Sequence, residues 1–143
     1  MDVRPLTPED AAALAPLVAA LAEHHGAIAT ATEATLERDL ADGWFWGFGT
    51  EPGLQGYVLL FAHAQADLGL RGAVIHHVYV VPHARRRGLA RALIAAAEDD
   101  ARSRGCDYVQ IAAHAGNDAA RDTYVALGYD FAAPTFWRFR KAL

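Results

Sequence analysis

Apolar positions in the first forty residues recur at the spacing of a helical face, and beyond residue 44 they gather into runs of strand length. Leu14, Leu17, Val18 and Leu21 line one helix, which opens on Thr7-Pro8-Glu9-Asp10. There Thr7 can cap free amides, Pro8 suits the first helical position, and the two acids complement the positive helix end. Pro16 lies inside this pattern and predicts a kink or a break. A second helix is predicted to start at residues 30–32, with Glu33 placed for a capping box with Thr30 and with Leu36 and Leu40 packing before Gly43. Residues 44–48 and 54–61 then read as two strands joined through Glu51-Pro52-Gly53, an antiparallel hairpin. A loop over 63–72 leads to a third strand over 73–81, which Pro82 ends. Residues 88–104 read as a helix with Leu89, Leu93 and Ala96 on one stripe, stopped at Gly105. A strand over 108–113, a helix over 117–127 and aromatic-rich strand material over 129–139 complete the chain, with a short first strand at 3–6. This order predicts a mixed sheet covered by helices, with a right-handed parallel crossover across residues 73–113.

Composition narrows the class. The 143 residues fit one domain, 1–143, with a real core, and 53% hydrophobic against 21% charged residues argues for a globular chain and against disorder. The net charge of -4 offers no general attraction to nucleic acid or to an anionic membrane, so the basic cluster Arg85-Arg86-Arg87 is a local feature. Cys106 is the single cysteine and has no intrachain partner, and it reads as a small buried residue at the start of a strand. No basic stretch and apolar run of a signal peptide opens the chain, and no run nears the roughly 18 apolar residues of a membrane span, so a cytoplasmic location is expected. The seven histidines show no closed ligand spacing, and no metal is expected.

The turn after the third strand carries candidate chemistry. A buried strand passes through basic, glycine-containing chain directly into a helix whose first amides lack internal partners, which makes an anion site. Gly88 is expected to let backbone approach a phosphate, Ala90 keeps the helix start uncluttered, and the arginines add charge. A solvated basic turn before an ordinary helix is the competing reading. No Gly-Lys-Ser/Thr for a P-loop and no Gly-x-Gly-x-x-Gly for a dinucleotide fold is present.

Arg85-x-x-Gly88-x-Ala90, after the strand at 74–81, matches the Arg/Gln-x-x-Gly-x-Gly/Ala motif of the GNAT superfamily of acyl-CoA-dependent N-acetyltransferases. Downstream, Asn117-x-x-Ala120-x-x-x-Tyr124-x-x-x-Gly128-Tyr129 is similar to that family's Asn-x-x-Ala-x-x-x-Tyr-x-x-x-Gly-Phe. The resemblance covers nearly the whole chain, since the element order fits as well. It implies an α/β (mixed α+β) fold with a central, mostly antiparallel, twisted sheet of about 6–7 strands, flanked by about four helices and splayed between the fourth and fifth strands. It also implies acetyl-CoA as co-substrate, a primary amine of a small molecule or peptide as acceptor, and, by analogy, a homodimer. The amides of Arg86, Arg87, Gly88, Leu89 and Ala90, flanked by Arg85 and Arg91, would hold the pyrophosphate. Main chain of Val78, Tyr79 and Val80 would pair with the pantetheine arm like an added strand, and an amide near Val78 would steady the oxyanion. Asn117 would hydrogen-bond the cofactor, and Tyr124 would be the acid that protonates the departing thiolate, against a reading as a plain core aromatic.

For the base, His76 is the first candidate because imidazole titrates near neutrality and its strand borders the acyl group. His76 and His77 are adjacent in a strand and are expected to face opposite sides of the sheet. His114 is a second candidate, and a water relay is the alternative to both. The first half of the chain also resembles the polyamine and thialysine acetyltransferase branch, in Leu21-Ala22-Glu23, in Thr32 through Asp39-Leu40 and in the strand around His76-His77. That branch carries an acidic pair where this chain has two imidazoles, which do not attract a polycation. Trp44, Trp46 and Trp137 are candidate walls of an aromatic amine pocket, with strand core as the alternative. Two rival functions remain. A silent acyl-CoA sensor would release no thiol with any amine, and a nucleic-acid module would bind oligonucleotide with steep salt dependence.

Overall fold

A computed structural model describes residues 1–143. They form two compact units, Met1–Ala112 and Ala113–Leu143. The first contains β1 (Asp2–Pro5), α1 (Ala11–His24), α2 (Glu33–Asp42), β2 (Trp46–Glu51), β3 (Gly56–Gln65), β4 (Leu70–Val80), α3 (Leu89–Ser103) and β5 (Tyr108–Ile111); the second contains α4 (Asp118–Ala126). One sheet of five strands runs in the order β1-β2-β3-β4-β5, antiparallel except for the parallel pair β4/β5.

Both faces of the sheet centre are covered. Tyr57, Val58, Leu59 and Leu60 of β3 are each at most 2% exposed, and side chains alternate along a strand, so no stretch of β3 is left for solvent there. Leu14, Val18 and Leu21 of α1 and Leu36 of α2 pack on Tyr57, Leu59 and Tyr79. Helix α3 lies against β2, β3 and β4 with Leu89, Leu93, Ala97 and Ala101 buried at intervals of four, and Ile94 beside them on the same face. Its far end is fastened to β2: Trp46 Nε1 donates to Asp100 Oδ2 at 2.7 Å, Arg104 Nε donates to the same oxygen at 2.7 Å, and the Arg104 guanidinium stacks 4.1 Å from the Trp46 ring.

Several local expectations are corrected. Helix α1 runs unbroken through Pro16. Pro16 and Ala12, whose carbonyl the missing amide would have engaged, both lie on the exposed side, where that carbonyl is open to solvent. The residue that caps α2 is Thr32, whose hydroxyl accepts from Thr35 N at 3.1 Å while Thr35 Oγ1 accepts from Thr32 N at 2.9 Å, so the box is one of two threonines and not Thr30 with Glu33. The loop expected over 63–72 is largely strand, because β3 and β4 pair out to Gln65 opposite Leu70. Gly72 is required within that ladder: a Cβ there would lie 2.2 Å from the Tyr108 ring, which crosses β4 at this point. The sheet has five strands, not six or seven, and residues 129–139 carry none. Their aromatic content suits a strand, but a strand exists only as part of a ladder, and the second unit offers no other strand to pair with.

Leu93 is fully buried and Leu68, in the turn between β3 and β4, is 59% exposed. Leu93→Ala is therefore expected to cost about 2–5 kcal/mol in chemical denaturation, and Leu68→Ala no more than about 0.5 kcal/mol. Equal losses would refute this placement of the core.

Candidate active site

The turn between β4 and α3 is held at both ends. Val81 N donates to Gln55 O at 2.9 Å, Ala84 is fully buried in the short 3-10 turn Pro82–Ala84, and Leu89 is buried at the helix start. Arg85 is a strut: its Nε donates to Val80 O at 2.9 Å and its guanidinium sits 5.8 Å from the Tyr79 ring, so its side chain braces the strand end. Arg86 (φ 63) and Gly88 (φ 78) both adopt the left-handed conformation and curl the backbone on either side of Arg87 into a concave turn of the kind that gathers amides around an anion. Gly88 is the N-cap of α3, and no side chain caps the amides that follow. A Cβ at Gly88 would meet no atom within 4 Å, so the glycine answers to its dihedral angle, not to crowding. Arg86, Arg87 and Arg91 are exposed around this turn. Concave main chain, uncapped amides and positive charge together fit a phosphate group.

Strand β4 continues past its neighbour. It pairs with β3 up to Val80 opposite Gly56, but its parallel ladder with β5 covers only Gly72 to Ile75, ending opposite Ile111. The stretch containing Val78, Tyr79 and Val80 therefore extends beyond β5, leaving the splay that an added extended chain would use.

The two histidines do not face opposite sides. The β3/β4 register shifts between Leu59 and Leu60, so that His77 lies opposite Leu59 and Ile75 opposite Leu60, leaving His76 as the extra residue of a β-bulge. The bulge breaks the alternation, and the two rings stack with centroids 4.2 Å apart and planes 18° apart. His77 Nδ1 is hydrogen-bonded to the Tyr57 hydroxyl at 3.2 Å, and His76 meets Phe61 edge-on at 5.7 Å. His76 is exposed as a residue, but partial desolvation of its ring lowers its pKa, and burial assisted by the neighbouring imidazoles brings His77 down to about 4. Both rings are thus neutral at pH 7, and a neutral imidazole is able to take a proton.

His76 lines an open cavity of about 640 Å³ together with Asp42, Gly43, Trp44, Phe45, Phe61 and Ala62. Of the three candidate tryptophans, Trp44 is in this wall, Trp46 is committed to Asp100 and Arg104, and Trp137 belongs to the second unit. Asp42, Phe45 and Phe61 were not singled out in the sequence. Asp42 did carry a signal: it is an acid in the last turn of a helix, where the helix dipole disfavours one.

In the second unit, Asn117 is the N-cap of α4, its Oδ1 accepting from Ala120 N at 3.2 Å. Tyr124 lies edge-on to Tyr129 at 6.4 Å, and burial raises the pKa of its hydroxyl, so the phenol is protonated and able to donate at neutral pH. His114 is exposed, and its carbonyl accepts from Asn117 N at 3.0 Å. Cys106 is half-buried ahead of β5. No three His, Cys, Asp or Glu side chains are grouped to hold a metal ion, and no helix is long and apolar enough to cross a membrane.

Comparison with known proteins gives a consistent result. The sequence profile of the acetyltransferase (GNAT) family matches residues 13–129. Among solved structures, a ribosomal-protein-alanine N-acetyltransferase from Brucella melitensis biovar Abortus 2308 is 25% identical, with a TM-score of 0.76 and 100% of each chain covered. The fold is also similar to aminoglycoside acetyltransferase HMB0005 from an uncultured soil metagenomic sample, at 22% identity, TM-score 0.80 and 98% of each chain. A third is the aminoglycoside N-acetyltransferase AAC(6')-Iy in complex with CoA, at 18% identity and TM-score 0.78, covering 99% of this chain and 100% of that one. No significant match is found among curated proteins.

The depressed histidines set a pH dependence. Above pH 6.5 they are neutral folded and unfolded; as pH falls through 6.5 only the unfolded chain gains the proton, and the resulting loss of stability grows until the folded value of His77, about 4, is reached. Melting temperature should therefore fall between pH 6.5 and 4, and less steeply in His77→Phe than in the parent. Parallel curves would show that His77 is not held neutral by the fold.

Proposed function

The chain belongs to the acetyltransferase (GNAT) family of acyl-CoA-dependent enzymes, and we propose that residues 1–143 act as one domain that transfers the acetyl group of acetyl-CoA to the primary amine of a small molecule or peptide. The observation that carries this reading is the concave, uncapped turn at Arg86 to Ala90 at the end of a strand whose main chain runs past its neighbour. In it, those amides hold the pyrophosphate, with the charge of Arg86, Arg87 and Arg91 around them, while Arg85 fixes the turn against Val80. Main chain of Val78, Tyr79 and Val80 takes the pantetheine arm.

His76 is the base in this reading, supported by its neutral state and its place in the cavity wall. It takes the proton of the attacking amine as nitrogen bonds to the acyl carbon. The carbon–sulfur bond then breaks with its electron pair on sulfur, and the thiolate receives a proton from the Tyr124 phenol. For Asn117 and Tyr124 the support is their motif spacing and the state of their own side chains within the second unit, a capping amide and a protonated phenol.

Saturating acetyl-CoA should raise the melting temperature by several degrees while ATP and NAD do not, and no shift with acetyl-CoA would sink the reading. Tyr124→Phe and His76→Ala should keep that shift but lose turnover on the order of 10-fold or more in a released-thiol assay. The His76→Ala deficit should shrink as pH rises and more amine is already neutral; a deficit uniform in pH would assign His76 to packing.

A further inference from the structure

The walls of the cavity beside His76 narrow the acceptor to a class. Three of its seven lining residues, Trp44, Phe45 and Phe61, carry apolar aromatic rings, and Asp42 is the one acidic residue among them. Its volume of about 640 Å³ suits a single small molecule. His76 is uncharged at neutral pH and adds no cation to the wall. An aminoglycoside or a polyamine brings several ammonium groups, each of which needs an acceptor or continued hydration, and one carboxylate satisfies only one of them. Aromatic faces do something different: they cover an apolar body and attract a single cation to it. Trp44 is 74% exposed, so much of its surface leaves water only when something lies against it.

We propose that the acceptor is a compact monoamine carried on an aromatic or apolar body, drawn in by Asp42, covered by Trp44, Phe45 and Phe61, and delivered with its nitrogen at His76. This assignment rests on the acetyl-transfer reading above. The acceptor class differs from the aminoglycosides for which enzymes of the same fold are named, since a shared fold does not fix the acceptor.

The test compares 2-phenylethylamine, kanamycin and spermidine as acceptors with acetyl-CoA, using the full chain and the Trp44→Ala and Asp42→Asn variants. The expected result is a kcat/KM for 2-phenylethylamine at least about tenfold above both polycations. Trp44→Ala should raise its KM by about tenfold with kcat kept, the signature of binding lost equally from ground and transition states. Asp42→Asn should raise KM in the same way. Preference for either polycation, or an unchanged KM in Trp44→Ala, would overturn the assignment. Two readouts separate this failure from that of acetyl transfer itself. If acetyl-CoA stabilises the fold but 2-phenylethylamine is neither bound nor acetylated, the acceptor class is wrong and the cofactor reading stands. If acetyl-CoA has no effect while 2-phenylethylamine quenches tryptophan fluorescence saturably in the parent and not in Trp44→Ala, the amine pocket stands and acetyl transfer falls.

Discussion

The backbone of β4 has to be paired or solvated along its whole length, and its two neighbours differ in length. On one side β3 accompanies it from Leu70 to Val80, whereas on the other β5 accompanies it only from Gly72 to Ile75. The exposed strand edge beside the basic turn follows from that difference. Where β5 stops, β4 is still a strand, held by β3 and by the hydrophobic layers against Tyr57, Leu59 and Tyr79, and its free edge meets the concave turn at its end. A strand edge that leads into an uncapped helix is the geometry on which the proposed cofactor binding rests, an extended arm along the edge with its pyrophosphate at the turn.

The bulge at His76 lies where the ladder with β5 ends, and it has a second effect. By adding one residue to β4 it turns two neighbouring side chains to the same side, so an imidazole pair replaces a single ring. His77 is occupied by Tyr57, which leaves His76 as the ring at the cavity wall. Two stacked imidazoles cannot both be charged at low cost, and burial already disfavours the charge on each. The arrangement thus keeps a proton acceptor available at neutral pH without any acidic partner. Neutral rings at this point of the strand add no attraction for a polycation.

Two arginines show why charge in a sequence is not yet a binding residue. Arg85 stands in the family motif, and its guanidinium also bonds Val80 O through Nε and lies near the Tyr79 ring, so it shapes the turn that its neighbours present. Arg104 closes a clamp with Trp46 and Asp100 that fixes the C-terminal end of α3 on β2, away from the helix end that carries the turn. Held at Leu89 and at Asp100, α3 is a rigid mount for the amides at its start.

Local chemistry is what the residues alone determined. The order of strands and helices in the first unit, the stop at Pro82, the helix after the basic turn, the helix following Asn117 and the two family motifs were all legible, because each depends on neighbours within a few positions in the chain. The tertiary structure decided whatever depends on partners remote in sequence. The bulge needs the register of β3, the role of Arg85 needs the Val80 carbonyl within reach of its side chain, and Asp42, Phe61 and His76 line one cavity only once α2, β3 and β4 are folded together. The expected strand at 129–139 failed for the same reason: aromatic pattern is a property of the segment, but strandhood is a property of a pair. Periodicity reports which face a side chain prefers, whereas hydrogen-bond partners and cavity walls are set by which elements come to lie side by side.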